Sequence, residues 1–175
     1  MVDPRNYFAK ETLEDGTEVT IRAIRPEDQD AIRAIFENLD EESSYRRFLG
    51  PKKELTDAEL VYFTDVDFSQ MVALVTTVQT GSGEALIAGG RFAVEDQASP
   101  RSAELAFTTE ERFRGRGLAG LLLGHLIGIA KELGLTRFEA DVLAENQPML
   151  AVFRRTGLPM QQQQDGNVIH VTLSL

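Results

Sequence analysis

From Leu118 onward, Leu118, Leu121, Leu122, Leu126, Ile129, Ala130 and Leu133 fall three or four residues apart, and Gly134 closes the run. That spacing lays an apolar stripe along one face of a helix, and the glycine beyond it supplies a residue at which helices readily stop. Before it stand β-prone runs and then the segment Arg112-Phe113-Arg114-Gly115-Arg116-Gly117-Leu118-Ala119-Gly120; after it Arg137 to Leu143 reads as another strand. A long one-faced helix set between strands needs a sheet to cover, so the chain is constrained to a sheet flanked by helices.

The remaining segments agree with that layout. Val19, Ile21 and Ala23 alternate with Thr20, Arg22 and Ile24 after the turn signal Asp15-Gly16, which predicts a strand entered through a hairpin or tight turn. Pro26-Glu27-Asp28 opens a helix with Ile32, Ile35, Phe36 and Leu39 on one face, and a second helix is expected through Glu41 to Phe48. A short third helix has Thr56 as N-cap and Leu60, Val61 and Phe63 as its apolar contacts. Met71 to Val78 and Ala85 to Val94 form a hairpin about Thr80-Gly81-Ser82-Gly83, and Ser102 to Thr108 follows as a third strand. Gln147 to Thr156 predicts a helix closed by Gly157, and the tail folds back as a hairpin at Asp165-Gly166, with Gln161 to Gln164 on an edge strand of alternating exposure. With no repeat and no linker, the expectation is one domain over residues 1–175, a length that suits a single core. The fold class is α/β (α+β): a central mixed, mostly antiparallel sheet flanked by helices.

Composition narrows the function. A formal net charge of -10 argues against a nucleic-acid partner, which lysine and arginine would have to neutralise, and suits either a cationic acceptor or simple solubility. The absence of cysteine removes disulfides, thiolate metal sites and any acyl-cysteine intermediate. The first residues lack a basic and apolar leader, and no apolar run approaches the ~20 residues of a membrane helix, so a soluble cytoplasmic protein without a membrane partner is expected. His125 and His170 have no metal-ligand partner at a useful spacing and read as structural, leaving no metal. Gly124 and Gly128 each cost ~1 kcal/mol in a helix relative to alanine, and close packing on the sheet is the expected reason for them.

The chemistry concentrates in Arg112 to Gly120. Glycines at a helix entry let the backbone approach a ligand while unpaired N–H groups and the helix dipole converge on one spot, a favourable seat for phosphate. Arg112, Arg114 and Arg116 add mobile positive charge beside it. Two other readings stand: an ordinary loop with solvated arginines, or a dinucleotide fingerprint in Gly115, Gly117 and Gly120 with Asp141 downstream. The polar Thr108-Thr109-Glu110-Glu111-Arg112 stretch disfavours the latter, because that fingerprint follows a buried strand directly.

Arg112-x-x-Gly115-x-Gly117, the amphipathic helix, and then Asn146-x-x-Met149 leading to Phe153-Arg154-Arg155-Thr156-Gly157-Leu158 resemble the paired acetyl-CoA motifs of the GNAT acetyltransferases. Ile21 to Asp28 is similar to that family's first strand and helix. Tyr45-Arg46-Arg47-Phe48, Phe63 to Asp67 with Met71 to Val75, and Ala103-Glu104-Leu105-Ala106 resemble bacterial protein lysine acetyltransferases that modify acyl-CoA synthetases.

The resemblance implies acetyl-CoA as acyl donor and direct transfer to an amine; the chain is expected to act as a monomer or homodimer. It implies a cofactor set of Phe107, Arg112, Phe113, Arg114, Gly115, Arg116, Gly117, Leu118, Ala119, Asn146 and Phe153, with backbone N–H groups from Phe113 to Leu118 around the pyrophosphate. Glu104 is the implied general base, drawing a proton from a lysine ammonium directly or through water; as a strand residue alone it would read as a glutamate that faces solvent or pairs with an arginine. Asn146 is also a good N-cap. Phe153 stands where many members carry a tyrosine as general acid, so that role is vacant, and a thiolate of pKa ~8.5 can take its proton from water. A protein lysine is the implied acceptor; a small-molecule amine, or a non-catalytic acyl-CoA-binding module, are the alternatives.

Overall fold

The computed structural model describes residues 3–37, 55–95 and 101–175. Within these, eight strands form one sheet in the order β1-β2-β3-β4-β5-β6-β8-β7. They are β1 (Phe8–Thr12), β2 (Glu18–Ala23), β3 (Met71–Thr80), β4 (Gly83–Val94), β5 (Ser102–Thr109), β6 (Arg137–Leu143), β7 (Met160–Asp165) and β8 (Val168–Ser174). Neighbours pair antiparallel except β5 with β6, which lie parallel across a helical crossover. The described α-helices are α1 (Gln29–Glu37), α2 (Asp57–Thr64), α3 (Leu118–Glu132) and α4 (Gln147–Arg155). No described helix is long and apolar enough to cross a membrane.

Strand β3 explains how the layers are built. Its Val72 and Leu74 join a core shared with Leu122, Leu126 and Ile129 of α3 and Leu150 and Phe153 of α4, while Ala73 and Val75 join a second core with Ile32, Leu55 and Leu60, on the side of α1 and α2. Successive side chains of a strand point to opposite faces, so a continuously apolar strand is one covered on both sides. Helix α3 buries the predicted stripe and ends at Gly134, which takes φ +81° as a left-handed stop requires. Helix α2 begins in a capping box, with Thr56 Oγ1 accepting from Glu59 N and Glu59 Oε1 accepting from Thr56 N, both at 3.1 Å.

Several expectations need correction. Residues 26–28 form a 3₁₀ turn before α1 rather than its first α-turn. The turn at Asp15-Gly16 does join a hairpin, but its first arm, β1, is a strand that the sequence does not predict as an element. Val61 is 49% exposed and gives α2 no core contact. The glutamines of β7 lie exposed on both faces instead of alternating. Gly124 and Gly128 do not pack on the sheet: both are exposed, and a Cβ at either would meet nothing within 4 Å. Leu39 and the helix expected over Glu41 to Phe48 lie outside the described residues.

Candidate active site

The site begins where the parallel junction fails. Only Ser102, Ala103 and Glu104 of β5 pair with Arg137, Phe138 and Glu139 of β6, although β5 runs on to Thr109 and β6 to Leu143. Each strand keeps its other neighbour to the end, β5 with β4 and β6 with β8, so the two part beyond Glu104 and Glu139. Their facing backbone edges leave the ladder there, offering N–H and C=O groups to whatever enters the gap. Phe107 stands along it, its ring over the bare backbone of Gly90, where an added Cβ would lie 2.9 Å from two ring carbons.

The glycine-rich loop lies at the end of β5. After a 3₁₀ turn at Glu111–Phe113, Gly115 takes φ +73° and Gly117 φ +83°, and Gly117 caps α3 with no side chain bonded to the first-turn N–H groups. Those N–H groups lack intrahelical acceptors, and the helix dipole points its positive end there. The arginines are not the mobile charges expected. Arg112 pairs with Glu110, Arg114 with Glu111 at 3.7 Å, and Arg116 with Asp15 at 3.6 Å while lying 4.9 Å over the Phe113 ring. Such solvent-exposed pairs are weak, so an entering phosphate competes for these arginines at small cost.

The other expected contacts divide. Leu118 is 2% exposed, so only its backbone faces the loop, while Ala119 is half-buried. Phe153 is 1% exposed in the core among α3, α4 and the sheet, which gives it a packing role and leaves it no face for a cofactor. Asn146 caps α4, its Oδ1 accepting from Met149 N at 3.3 Å, and begins the helix that follows β6.

Glu104 projects from the opposite face of β5 to Ala103 and Leu105, which enter the α3 core. Glu139 and Asp141 of β6 share that face, since Phe138, Ala140 and Val142 fill the core behind them. Between those two carboxylates lies His170 of β8, with Nδ1 2.7 Å from Asp141 and Nε2 3.0 Å from Glu139. Among the described residues no side chain hydrogen-bonds the Glu104 carboxylate. Although the side chain is exposed, loss of solvation beside the sheet pushes that carboxyl above its usual range, Asp141 and Glu95 push it further, His170 opposes them and Glu139 adds a little. Continuing from Glu104 along the same face, Ala106 and Thr108 line a cavity of about 30 Å³ with Ile32, Phe36, Phe63 and Arg91.

The sequence alone gives His170 a structural role and Asp141 only the place of the acid downstream of a dinucleotide fingerprint. Asp141 is hydrogen-bonded to His170 on the sheet face away from α3, so the dinucleotide reading loses its acidic residue. His125, also taken as structural, is held by Tyr7 Oη at 2.5 Å and Glu11 Oε1 at 2.9 Å, tying α3 to the β1 edge.

Residues 32–158 match the Acetyltransferase (GNAT) family. The chain belongs to the GNAT acetyltransferases. It is 30% identical over 162 residues to an acetyltransferase of Pseudomonas aeruginosa, covering 91% of this chain and 86% of that protein. It is 37% identical over 116 residues to the acetyltransferase Pat of Mycolicibacterium smegmatis, covering 66% of this chain but 34% of that longer protein. The solved GNAT domain of S. lividans PAT superposes with a TM-score of 0.84 at 30% identity, covering 96% of this chain and 97% of that one. GNAT acetyltransferases use acetyl-CoA as acyl donor, and the single mixed sheet flanked by helices is their fold.

Proposed function

We propose that this GNAT acetyltransferase transfers acetyl from acetyl-CoA directly to a primary amine in the cytoplasm, with Glu104 as general base and a protein lysine as acceptor. The observation that carries the reading is the parting of β5 and β6 immediately beyond a carboxylate with no hydrogen-bond partner among the described residues. The site fits the cofactor: a gap bounded by two unladdered strand edges leads to two left-handed glycines and an uncapped helix start.

The residues that would hold acetyl-CoA are the backbone from Phe113 to Ala119, the side chains of Arg112, Arg114 and Arg116 once they exchange their carboxylates for phosphate, Phe107 along the gap, and Asn146 at the start of α4. When bound, acetyl-CoA supplies an acyl group activated as a thioester. Glu104 removes the proton that keeps an ammonium, of pKa ~10.4 in water, from acting as a nucleophile. Its upward-pushed carboxyl makes it a stronger base than a solvated glutamate while leaving it ionised above its own titration. Phe153 takes no part, and the departing thiolate takes its proton from solvent.

Two features support a cationic acceptor: the carboxylates of Glu95, Glu104, Glu139 and Asp141 on one side of the sheet, and the net charge of -10. A lysine of a protein is supported by the resemblance to bacterial protein lysine acetyltransferases and the similarity to Pat. The test is CoA release from acetyl-CoA over a panel of lysine-bearing proteins, acyl-CoA synthetases included, beside polyamines and aminoglycosides. Acetylation of a protein lysine, located by mass spectrometry, is expected. Turnover with small amines alone would reassign the acceptor, and binding without turnover on any amine would make the chain an acyl-CoA-binding module.

A further inference from the structure

The face that carries Glu104 holds an arrangement with no part in the reaction described so far. Glu104 and Glu139 are register partners in the last rung of the parallel junction, and Asp141 and His170 are partners across the β6–β8 ladder. His170 thus lies one strand beyond the carboxylates nearest Glu104, with each ring nitrogen on a different one, 2.7 Å to Asp141 and 3.0 Å to Glu139. A ring with both nitrogens on carboxylate oxygens is fully used only as an imidazolium, which donates at both positions. Among the described residues the other charged groups facing this patch are Glu95, just beyond β4 and accepting from Ser102 Oγ at 2.9 Å, and Arg137, 3.7 Å from Glu139. Gln163 of β7, opposite His170, is neutral.

We propose that His170 is a positioning residue for acyl transfer: by bridging Glu139 and Asp141 it holds these carboxylates together and offsets their charge beside Glu104, keeping Glu104 in the form that accepts a proton. The inference rests on Glu104 being the base. Uncompensated, Glu95, Glu139 and Asp141 would each favour a protonated Glu104, which cannot accept a proton from an ammonium. The two β6 carboxylates in turn raise the affinity of His170 for its own proton above the ordinary value of 6.5.

The test is the pH profile of kcat/KM for the wild type, His170→Gln and Asp141→Asn, with acetyl-CoA affinity measured alongside. Loss of the imidazolium moves the acid limb to higher pH, with activity recovered on the alkaline side. Loss of the Asp141 charge moves it to lower pH. Opposite shifts at unchanged acetyl-CoA affinity support the proposal; an equal loss at every pH in both variants overturns it. Glu104→Gln separates the two levels, because retained turnover in that variant defeats the assignment of the base whatever His170 does. Should His170→Gln fail to fold, carbon-13 titration of the wild type decides: His170 titrating above 6.5, with a second inflection in the Glu104 carboxyl as it does so, supports the proposal. A His170 titrating below 6.5 overturns it.

Discussion

Arg22 donates to both carboxylate oxygens of Asp28, at 2.9 and 2.8 Å, with no more than a tenth of either side chain exposed. Asp28 also accepts from Arg25 N at 2.8 Å, and Arg22 reaches Glu84 at 2.7 Å, so this cluster fastens β2 to the start of α1 and to β4. Removing one partner strands a buried charge, and Asp28→Ala is expected to destabilise the fold by roughly 3–5 kcal/mol in urea melts.

The same cluster sets an acid limit. Burial pushes the Asp28 carboxyl up, but the Arg22 hydrogen bonds and charge, with Arg25, more than offset this and hold it below 3.8; Arg22 likewise holds Glu84 below 4.5. Groups depressed in the folded state stabilise it above their unfolded values, and that stability is lost as pH falls through the folded ones. The wild-type Tm should therefore fall as pH drops below 4.5 and then 3.8, and Asp28→Ala should lose less over the same range.

Gly90 stands opposite Phe107 in the β4–β5 ladder, and a Cβ there would lie 2.9 Å from two ring carbons and 3.3 Å from Leu126 Cδ1. Gly90→Ala should cost about 1–3 kcal/mol by overpacking, and the penalty should shrink in the Phe107→Leu background. Because Phe107 borders the β5–β6 gap, Gly90→Ala should also weaken acetyl-CoA binding by calorimetry.

Glycines around α3 should respond in opposite directions. At Gly115 and Gly117 an added Cβ meets nothing, so alanine there costs only the left-handed backbone, roughly 1–2 kcal/mol, with a loss of acetyl-CoA affinity. At Gly124 and Gly128 the backbone is helical and the space open, so alanine should stabilise by up to ~1 kcal/mol. Thermal melts of the four variants check both signs, and destabilisation at Gly124 or Gly128 would contradict the open surface described here.

What could be read before folding was whatever rests on local spacing: the stripe of α3 with its Gly134 stop, β6 to the residue, the Thr56 cap and the hairpin at Thr80 to Gly83. Strand β1 escaped because Phe8–Thr12 is short, half polar and at an edge, where only one neighbour defines it. Periodicity gave α3 its buried face but not the openness of Gly124 and Gly128, which depends on what stands opposite. The loop was legible as a phosphate seat, yet the partner of Arg116 was not, because Asp15 arrives from a distant hairpin; Glu110 and Glu111, which hold Arg112 and Arg114, are sequence neighbours. Glu104 was identified through resemblance, whereas Glu139, Asp141 and His170 assemble beside it only through the register of β5, β6 and β8.

The central claim is that Glu104 acts as base beside an acetyl-CoA site formed where β5 and β6 part. Its most direct test is Glu104→Gln, measured for acetyl-CoA affinity by calorimetry and for amine-dependent CoA release in the same buffer. The account predicts unchanged affinity with turnover reduced by about 10²–10⁴, the range of a positioned general base. Undiminished turnover, or turnover lost only in proportion to acetyl-CoA affinity, would contradict it.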